Sequence, residues 1–226
     1  MTAGRALSRK FARLRRRVRP GLRALRDLPM ALTFPLALIP RPPPSDPLER
    51  AVADLLLLGF YGKDPRALPA RLLARQIRDG EVGGVFFVSD NVAKPEALRG
   101  LVQMMQPPGR QPLIAIDHEG GLVQRLKAEH GFSRLPSAQD MARLHSPEAA
   151  RGLYAGAAAE LAAAGFNLSL GPVLDLCDPQ NVAIGQAGRA YHEKADQVAR
   201  YGAAFTEPRR GCRRLIRVSY AAMGSV

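Results

Sequence analysis

The sequence has few of the residue types and patterns that mark several large functional classes. Aromatic residues make up only 6% of its 226 residues, so the core must be mostly aliphatic. The four histidines form neither an HxH nor an HExxH pattern, and no P-loop, GxSxG or GxGxxG motif occurs. The sequence therefore predicts no metal site and no cofactor.

Cysteines and long hydrophobic runs are also scarce. Cys177 and Cys212 have no paired spacing, which favours reduced thiols in a cytosolic protein. The apolar segment at residues 28–39 is interrupted by Pro35 and is too short to span a bilayer. We expect a cytoplasmic protein without a transmembrane segment. Its basic leader leaves export, or weak contact of residues 1–40 with a membrane surface, open as alternatives.

Acidic residues are scarce only at the two ends of the chain. Residues 1–45 hold 11 basic residues and one acidic residue, residues 206–226 hold five and one, and residues 46–205 hold 17 and 18. The net charge of +13 therefore belongs to the ends. These ends could bind nucleic acid or anionic lipid without specificity, although no interleaved aromatic residues support a nucleic-acid interface. We expect a disordered leader with a proline-rich linker, one folded body and an arginine-rich tail.

The body alternates apolar runs with helical segments. Strands are predicted near residues 55–60, 84–88, 113–117 and 166–174. Helices are predicted near residues 64–77, 94–105, 146–165 and 193–205, with Asp64 and Pro65 beginning the first. Four such units predict parallel strands joined by helical crossovers. A doubly wound sheet and a (β/α)₈ barrel both fit, and both place chemistry at the carboxyl ends of the strands.

The segment IAIDHEGGLVQRL, residues 114–126, ends a predicted strand in a polar cluster. Asp117 lies at the carboxyl end of that strand, where a carboxylate can accept hydrogen bonds from two adjacent sugar hydroxyls. Gly120 and Gly121 allow the backbone to turn and approach a ligand, and Arg125 can supply a charged donor. A turn aspartate followed by a flexible loop fits the same residues, so the motif alone leaves both interpretations open.

This segment and the following GFSRLPSAQDM resemble the signature of family 3 glycoside hydrolases, in the β-N-acetylhexosaminidase branch. The family pattern is an apolar strand, Asp, Gln or a similar residue, Glu-Gly-Gly, and a Gln-Arg pair before Phe-Thr-x-Leu-Pro. Three more segments resemble family motifs in the family's order: GGVFFVSDNV, FNLSLGPVLDL and NVAIGQAGRAYHEKADQVARYGAAF. The resemblance covers about residues 50–205. It implies a (β/α)₈ barrel, of which this chain carries about the first four units.

The resemblance implies a retaining exo-glycosidase that removes terminal β-linked N-acetylglucosamine, with muropeptide fragments of bacterial cell-wall recycling as the usual substrate. Asp117 matches the family aspartate that binds hydroxyls of the non-reducing sugar, and Arg125 and Arg189 match two arginines near that sugar. Asp175 matches a strand-end aspartate that we expect to be structural. Leu122 replaces the usual arginine, and the loop before Arg189 carries extra residues.

The family's catalytic groups are expected beyond residue 206. A retaining glycosidase needs a nucleophile and a proton donor, which the family carries in K-H-F-P-G-H-G, a following His-Asp pair and a later S-D-D motif. None of these motifs occurs here, and the tail has no strand-like fifth unit. We therefore expect no catalytic residue in this chain, an exposed sheet edge after the fourth strand, and no hydrolysis. His118 is the nearest candidate acid. Glu119 is the rival candidate, but we expect it to be structural because the glycine turn follows it directly.

The tail and the function each leave alternatives open. A reading frame shifted near Met223 would restore a His-Gly pair that the family carries at about this point, so we interpret residues 206–226 as translated out of frame. A genuine arginine-rich tail is the alternative. The preferred function is a hydrolase by descent that has lost catalysis. A non-catalytic sugar-binding fragment, or association with membrane or nucleic acid through the basic ends, are the alternatives.

Overall fold

The computed structural model describes residues 43–207 and the backbone of residues 216–220. Within these ranges the strands are β1 (Leu57–Leu58), β2 (Gly84–Phe87), β3 (Leu113–Gly120), β4 (Val123–Gln124), β5 (Leu168–Val173) and β6 (Ile216–Tyr220). The α-helices are α1 (Pro47–Asp54), α2 (Leu68–Asp79), α3 (Pro95–Met104), α4 (Ala138–Leu144), α5 (Pro147–Ala163) and α6 (Ala195–Thr206). Single 3₁₀ turns follow β2 and β4, at Ser89–Asn91 and Ala128–His130.

Five strands form one parallel sheet in the order β1-β2-β3-β5-β6. The short strand β4 pairs antiparallel with the end of β3. In a doubly wound sheet the strand order reverses at a switch point. Here each parallel strand bonds the parallel strand that precedes it in the chain, which is the order in a (β/α)₈ barrel. The four predicted parallel strands, each followed by a helix, are confirmed.

The tail corrects two expectations. Strand β6 lies in the segment that was expected to contain no strand, and it pairs in parallel with β5, with Leu168 opposite Ile216. The edge of β5 is therefore covered and not exposed. The sequence signal is the alternation of apolar and polar residues in IRVSY, a period of two that fits a strand. Arginines surround and interrupt this short pattern, at residues 209, 210, 213, 214 and 217.

The first predicted helix begins later than expected. Asp64 caps a turn instead of the helix, because its carboxylate accepts a hydrogen bond from the Arg66 backbone N–H at 2.8 Å. Helix α2 then begins at Leu68, after Ala67, and Gly80 ends it in a left-handed conformation. Ser146 caps α5 as its position in the sequence indicates, accepting a hydrogen bond from the N–H of Ala149.

The main core lies between the sheet and helices α2 and α3. Ile114 and Ile116 of β3 contribute to it, together with Leu98 and Leu101 of α3. Phe87 of β2 lies at its centre and packs edge-to-face against Phe60 and Phe166, with ring centroids 5.5 and 5.2 Å away. Because side chains alternate along a strand, Ala115 and Asp117 point to the opposite side of β3 from the two isoleucines. The core thus determines which side of β3 carries Asp117.

A smaller core of aromatic side chains joins α4, α5 and α6 to the loop between β5 and α6. The hydroxyls of Tyr154 and Tyr191 lie 2.9 Å apart, and the ring of Tyr191 stacks on that of Tyr201 at 5.4 Å. Tyr201 in turn donates a hydrogen bond to the His145 carbonyl at 2.7 Å. Since Tyr191 closely follows Arg189, this cluster anchors the loop that carries Arg189.

Two asparagines connect segments that are far apart in the sequence. Asn91 is fully buried, accepts from the N–H of Val88, and donates to the carbonyls of Phe60 and Gly62 at 3.0 and 2.9 Å. Asn167 accepts from the N–H of Ile114 at 2.7 Å and donates to the Pro112 carbonyl at 2.8 Å. These side chains satisfy backbone groups at strand ends that the sheet leaves unpaired.

Gln124 hydrogen-bonds three backbone groups in the loop after β4. Its amide nitrogen donates to the carbonyls of Leu126 and Ser133, each at 2.6 Å, and its amide oxygen accepts from the N–H of Leu135 at 2.9 Å. This side chain is buried. One glutamine therefore closes the loop at residues 126–135 against the end of the β3–β4 hairpin.

The two glycines that end β3 contact the protein itself. Gly120 and Gly121 have φ values of +105° and +56°. A Cβ atom on Gly120 would collide with the carbonyl oxygen of Pro136, and one on Gly121 would lie 2.6 Å from the Cβ of Ser137. We expected these glycines to admit a ligand. In the structure, the close approach they permit is to the segment that leads into α4.

His118 is buried, and in the sequence it lies between Asp117 and Glu119. Its side chain is 2% exposed, and its Nδ1 has no hydrogen-bond partner among the described residues. Burial lowers the pKa of His118 to about 4, and the negative charge of Glu160 opposes this only in part. His118 is therefore neutral at neutral pH.

Several expectations concern residues outside this description. Residues 1–42, 208–215 and 221–226 are not described, so the leader, most of the tail and Cys212 fall there. Cys177 is a free, partly exposed thiol. Between residues 43 and 207, none of the helices has the length and hydropathy needed to cross a membrane.

We predict that Gln124→Ala lowers the free energy of unfolding by about 2–3 kcal/mol, because three backbone groups lose their partner. Gln103→Ala removes an exposed amide from α3 and should change the stability by less than about 0.5 kcal/mol. Urea denaturation of both variants beside the parent chain measures the difference. Equal midpoints for the two variants would contradict the role assigned to Gln124.

We also predict that His118→Gln makes the stability less sensitive to acid. Between the ordinary histidine pKa of 6.5 and about 4, the unfolded chain binds a proton that the folded chain does not. Stability is therefore lost as the pH falls through this window, by an amount on the order of 3 kcal/mol. Denaturation at pH 7.5, 6, 5 and 4 should give curves for the two proteins that diverge on acidification. Parallel curves would contradict the burial argument.

Candidate functional site

Asp117 and Arg125 form an ion pair at the carboxyl end of β3. The Arg125 Nη2 lies 2.9 Å from Asp117 Oδ2, and the two side chains are 25% and 20% exposed. Arg125 directly follows β4, so the β3–β4 hairpin returns it to the strand that carries Asp117. Its Nη1 also lies 3.4 Å from the Ser89 hydroxyl, in the turn after β2. The pair thus joins the carboxyl ends of two neighbouring strands.

Glu119 and Arg189 form a second ion pair, two residues further along β3. Arg189 Nε donates to one carboxylate oxygen of Glu119 at 2.8 Å, and Nη2 donates to the other at 2.7 Å. The carboxylate is almost completely buried, with 6% of the side chain exposed, whereas 20% of the Arg189 side chain is exposed. Sequence reasoning assigned Glu119 a structural role but did not identify its partner. The available signal was a second carboxylate at the same strand end.

The loop that carries Arg189 is ordered by its own hydrogen bonds. Asn181 accepts from the N–H groups of Ala183 and Ile184, each at 3.0 Å, and the Arg189 N–H donates to the Ile184 carbonyl at 2.9 Å. The Gly188 carbonyl accepts from the N–H of Gln139 in α4 at 3.1 Å. The extra residues before Arg189 are therefore accommodated in a defined turn.

The structure brings together the three residues predicted to contact the sugar. Asp117 and the partner of Arg189 both lie in the last four residues of β3, and two strand residues span about 7 Å. Arg125 and Arg189 consequently approach the same strand end from two different loops. Asp175 lies just beyond the end of β5. Leu122, which replaces the usual arginine, is 74% exposed and brings no charge to the site.

This arrangement combines hydrogen-bond acceptors with donors. An ionised carboxylate only accepts hydrogen bonds and a guanidinium only donates them, whereas a sugar hydroxyl does both. Neutral, buried His118 lacks the second ring proton that an imidazolium ion would donate as a general acid, and the Glu119 carboxylate is paired with Arg189. In the part of the chain that is described, no three His, Cys, Asp or Glu side chains are grouped so that they could hold a metal ion. The site is suited to bind a polyhydroxylated ligand.

An open polar cleft of about 440 Å³ lies elsewhere on the molecule. Its lining includes Gly83, Leu113 and the ion pair of Asp54 with Arg110, whose charged atoms are 3.0 Å apart. Gly83 and Leu113 are at the amino ends of β2 and β3. The cleft is therefore at the opposite end of the sheet from Asp117, where parallel α/β folds do not place catalytic groups.

Known proteins with similar sequences carry the same motifs. The sequence model described as the glycosyl hydrolase family 3 N terminal domain matches residues 48–215. A beta-hexosaminidase of Bordetella pertussis is 39% identical over 140 residues, which are 59% of this chain and 39% of that protein. A beta-hexosaminidase of Idiomarina loihiensis is 33% identical over 157 residues, which are 67% of this chain and 45% of that protein. The chain thus spans less than half the length of these curated relatives.

Solved structures agree with the sequence comparison. A glycoside hydrolase family 3 β-N-acetylglucosaminidase from Paenibacillus sp. superposes with a TM-score of 0.65 at 29% identity, covering 78% of this chain and 33% of that one. NagZ from Neisseria gonorrhoeae gives a TM-score of 0.59 at 28% identity, covering 67% and 44% of the two chains.

The family match includes the structural features described above. The matched residues, 48–215, include strands β1 to β5 and both ion pairs at the end of β3. They also include the amide side chains that hydrogen-bond the backbone at the strand ends. With its matched region extending over most of the chain, this protein belongs to glycosyl hydrolase family 3, through the N-terminal domain of that family.

Proposed function

We propose that this chain forms the sugar-binding part of a β-N-acetylhexosaminidase-type site, and that it holds terminal β-linked N-acetylglucosamine at the carboxyl end of β3. The observation that carries the proposal is the ion pair of Asp117 with Arg125. It places an acceptor and a donor side by side at the strand end, where barrel enzymes of this kind act on their substrates.

Asp117 is the main contact with the sugar in this proposal. Its two carboxylate oxygens can accept hydrogen bonds from two neighbouring hydroxyls, while Arg125 and Arg189 donate to oxygens of the same sugar. Because Arg125 already holds Asp117 at 2.9 Å, the carboxylate is oriented before a sugar arrives. A prepared orientation reduces the entropy that binding must overcome.

Two relatives support an N-acetylated sugar as the ligand. The Paenibacillus protein is a β-N-acetylglucosaminidase, and the Neisseria protein has been solved in complex with N-trifluoroacetyl-D-glucosamine. A muropeptide fragment of bacterial cell-wall recycling, and a cytoplasmic location for the chain, belong to the same proposal.

The proposal includes an absence of hydrolysis by this polypeptide. Retaining hydrolysis needs a nucleophilic carboxylate and a proton donor on either side of the glycosidic bond. At the site described here, both strand-end carboxylates are paired with arginines and His118 is neutral and buried. Binding alone orients a sugar, and general acid assistance alone is worth about 10²–10⁴-fold in rate.

We predict that Asp117→Asn weakens binding of N-acetylglucosamine about tenfold or more. The substitution removes the charged carboxylate that accepts hydrogen bonds from two sugar hydroxyls. Dissociation constants from ligand-observed NMR titrations measure the effect. Asp54→Asn is the matched control, because it neutralises a carboxylate that is paired with an arginine at the other end of the sheet. Equal weakening by both substitutions, or by neither, would contradict the assignment of the site.

We further predict that the purified chain does not hydrolyse a chromogenic β-N-acetylglucosaminide above the background rate. The assay is run beside Asp117→Ala, which removes the sugar contact. Both proteins should be silent, because the groups described at the end of β3 include neither a free nucleophilic carboxylate nor a proton donor. Turnover by the parent chain that disappears in Asp117→Ala would reveal a complete catalytic site and overturn this part of the proposal.

A further inference from the structure

We infer that Glu119 is a positioning residue for the sugar site, which acts by holding the guanidinium of Arg189 at the carboxyl end of β3. The inference rests on the proposed function, since it assigns Glu119 a task in sugar binding. It differs from the structural role that the sequence predicts for Glu119.

The geometry of the pair fixes the plane of the guanidinium. Two parallel hydrogen bonds, from Nε and Nη2 of Arg189, reach the two oxygens of one carboxylate at 2.8 and 2.7 Å. A single hydrogen bond allows rotation about its axis, whereas this two-bond arrangement does not. The third nitrogen, Nη1, donates to the Ala183 carbonyl at 3.2 Å. Glu119 therefore holds two of the three guanidinium nitrogens of Arg189.

Glu119 lies against β5. A Cβ atom built at Gly171 would be 3.6 Å from Cγ of Glu119, an ordinary van der Waals distance, so the glutamate side chain packs beside this strand. A carboxylate that is 6% exposed is costly to bury without a cation. Glu119 and Arg189 therefore determine each other's place, and the rigid member of the pair is the one on the strand.

The pair also joins a loop to a strand of the sheet. Arg189 belongs to the connection between β5 and α6, whereas Glu119 belongs to a central strand of the sheet. Of the two arginines at the site, Arg125 is brought to Asp117 by a short hairpin. Arg189 has no such hairpin, and its side chain reaches the strand across 70 residues of sequence. A carboxylate on the strand is the means by which this distant arginine joins the site.

The test is a double-mutant cycle on sugar binding in the full chain. Dissociation constants for N-acetylglucosamine are measured for the parent, Glu119→Gln, Arg189→Met and the double variant. Each single variant should bind about tenfold more weakly, and the double variant should bind no more weakly than Arg189→Met. Glu119 acts through Arg189, so its effect should vanish once the arginine is gone. Asp54→Asn, in the ion pair at the opposite strand ends, should leave the dissociation constant unchanged.

The outcomes distinguish a failure of the positioning role of Glu119 from a failure of the proposed sugar-binding function. Weaker binding by Arg189→Met with unchanged binding by Glu119→Gln would overturn the positioning role and leave the sugar site intact. The inference would also be overturned if the increase in dissociation constant of the double variant equalled the product of the increases of the two single variants. That result would show that Glu119 acts without Arg189. A parent chain that binds no sugar would overturn both statements.

A second variant keeps the inference testable if Glu119→Gln does not fold. Arg189→Lys keeps the positive charge beside Glu119 but replaces the two parallel hydrogen bonds with a single ammonium group. It should retain the parent's circular dichroism spectrum and bind the sugar about tenfold more weakly. Unchanged binding by Arg189→Lys would show that the orientation of the guanidinium is unimportant, and would overturn the inference.

Discussion

The end of β3 carries two carboxylates in a mostly buried setting, and the remainder of the site depends on how their charges are compensated. A buried charge without a partner would cost several kcal/mol. Asp117 and Glu119 each meet an arginine, and these arginines come from two separate loops. Each ion pair therefore links one of these loops to β3. Electrostatic compensation at one strand end therefore brings together groups that are far apart in the sequence.

Uncharged side chains hold the surrounding framework. Asn91, Gln124 and Asn167 each satisfy backbone groups at strand ends or in the adjoining loop, and none of them depends on the charge of the site. The proposed binding contacts and the contacts that hold the fold thus involve neighbouring but different residues in the same motif. In the Gln-Arg pair, Gln124 closes a loop and Arg125 contacts Asp117.

The sequence was sufficient to predict what depends on local pattern. Apolar runs and capped helical segments indicated the four parallel units, and the same pattern placed Asp117 near the end of β3. The partner of Glu119 and the role of Gly120 depend on contacts between distant segments, which neither periodicity nor spacing encodes. Strand β6 had a local signal in IRVSY, but the arginines around it obscured the alternation. The choice between barrel and doubly wound sheet required the strand order itself.

The sequential order of the parallel strands also bears on how the chain acquires its structure during synthesis. Each of β2, β3, β5 and β6 pairs with the parallel strand made before it. Each pairing between the described strands can therefore form once one further strand–helix unit has left the ribosome. Pairing between successive units keeps loop-closure costs small. The sheet can grow in one direction from its amino-terminal edge, with each completed unit serving as the template for the next.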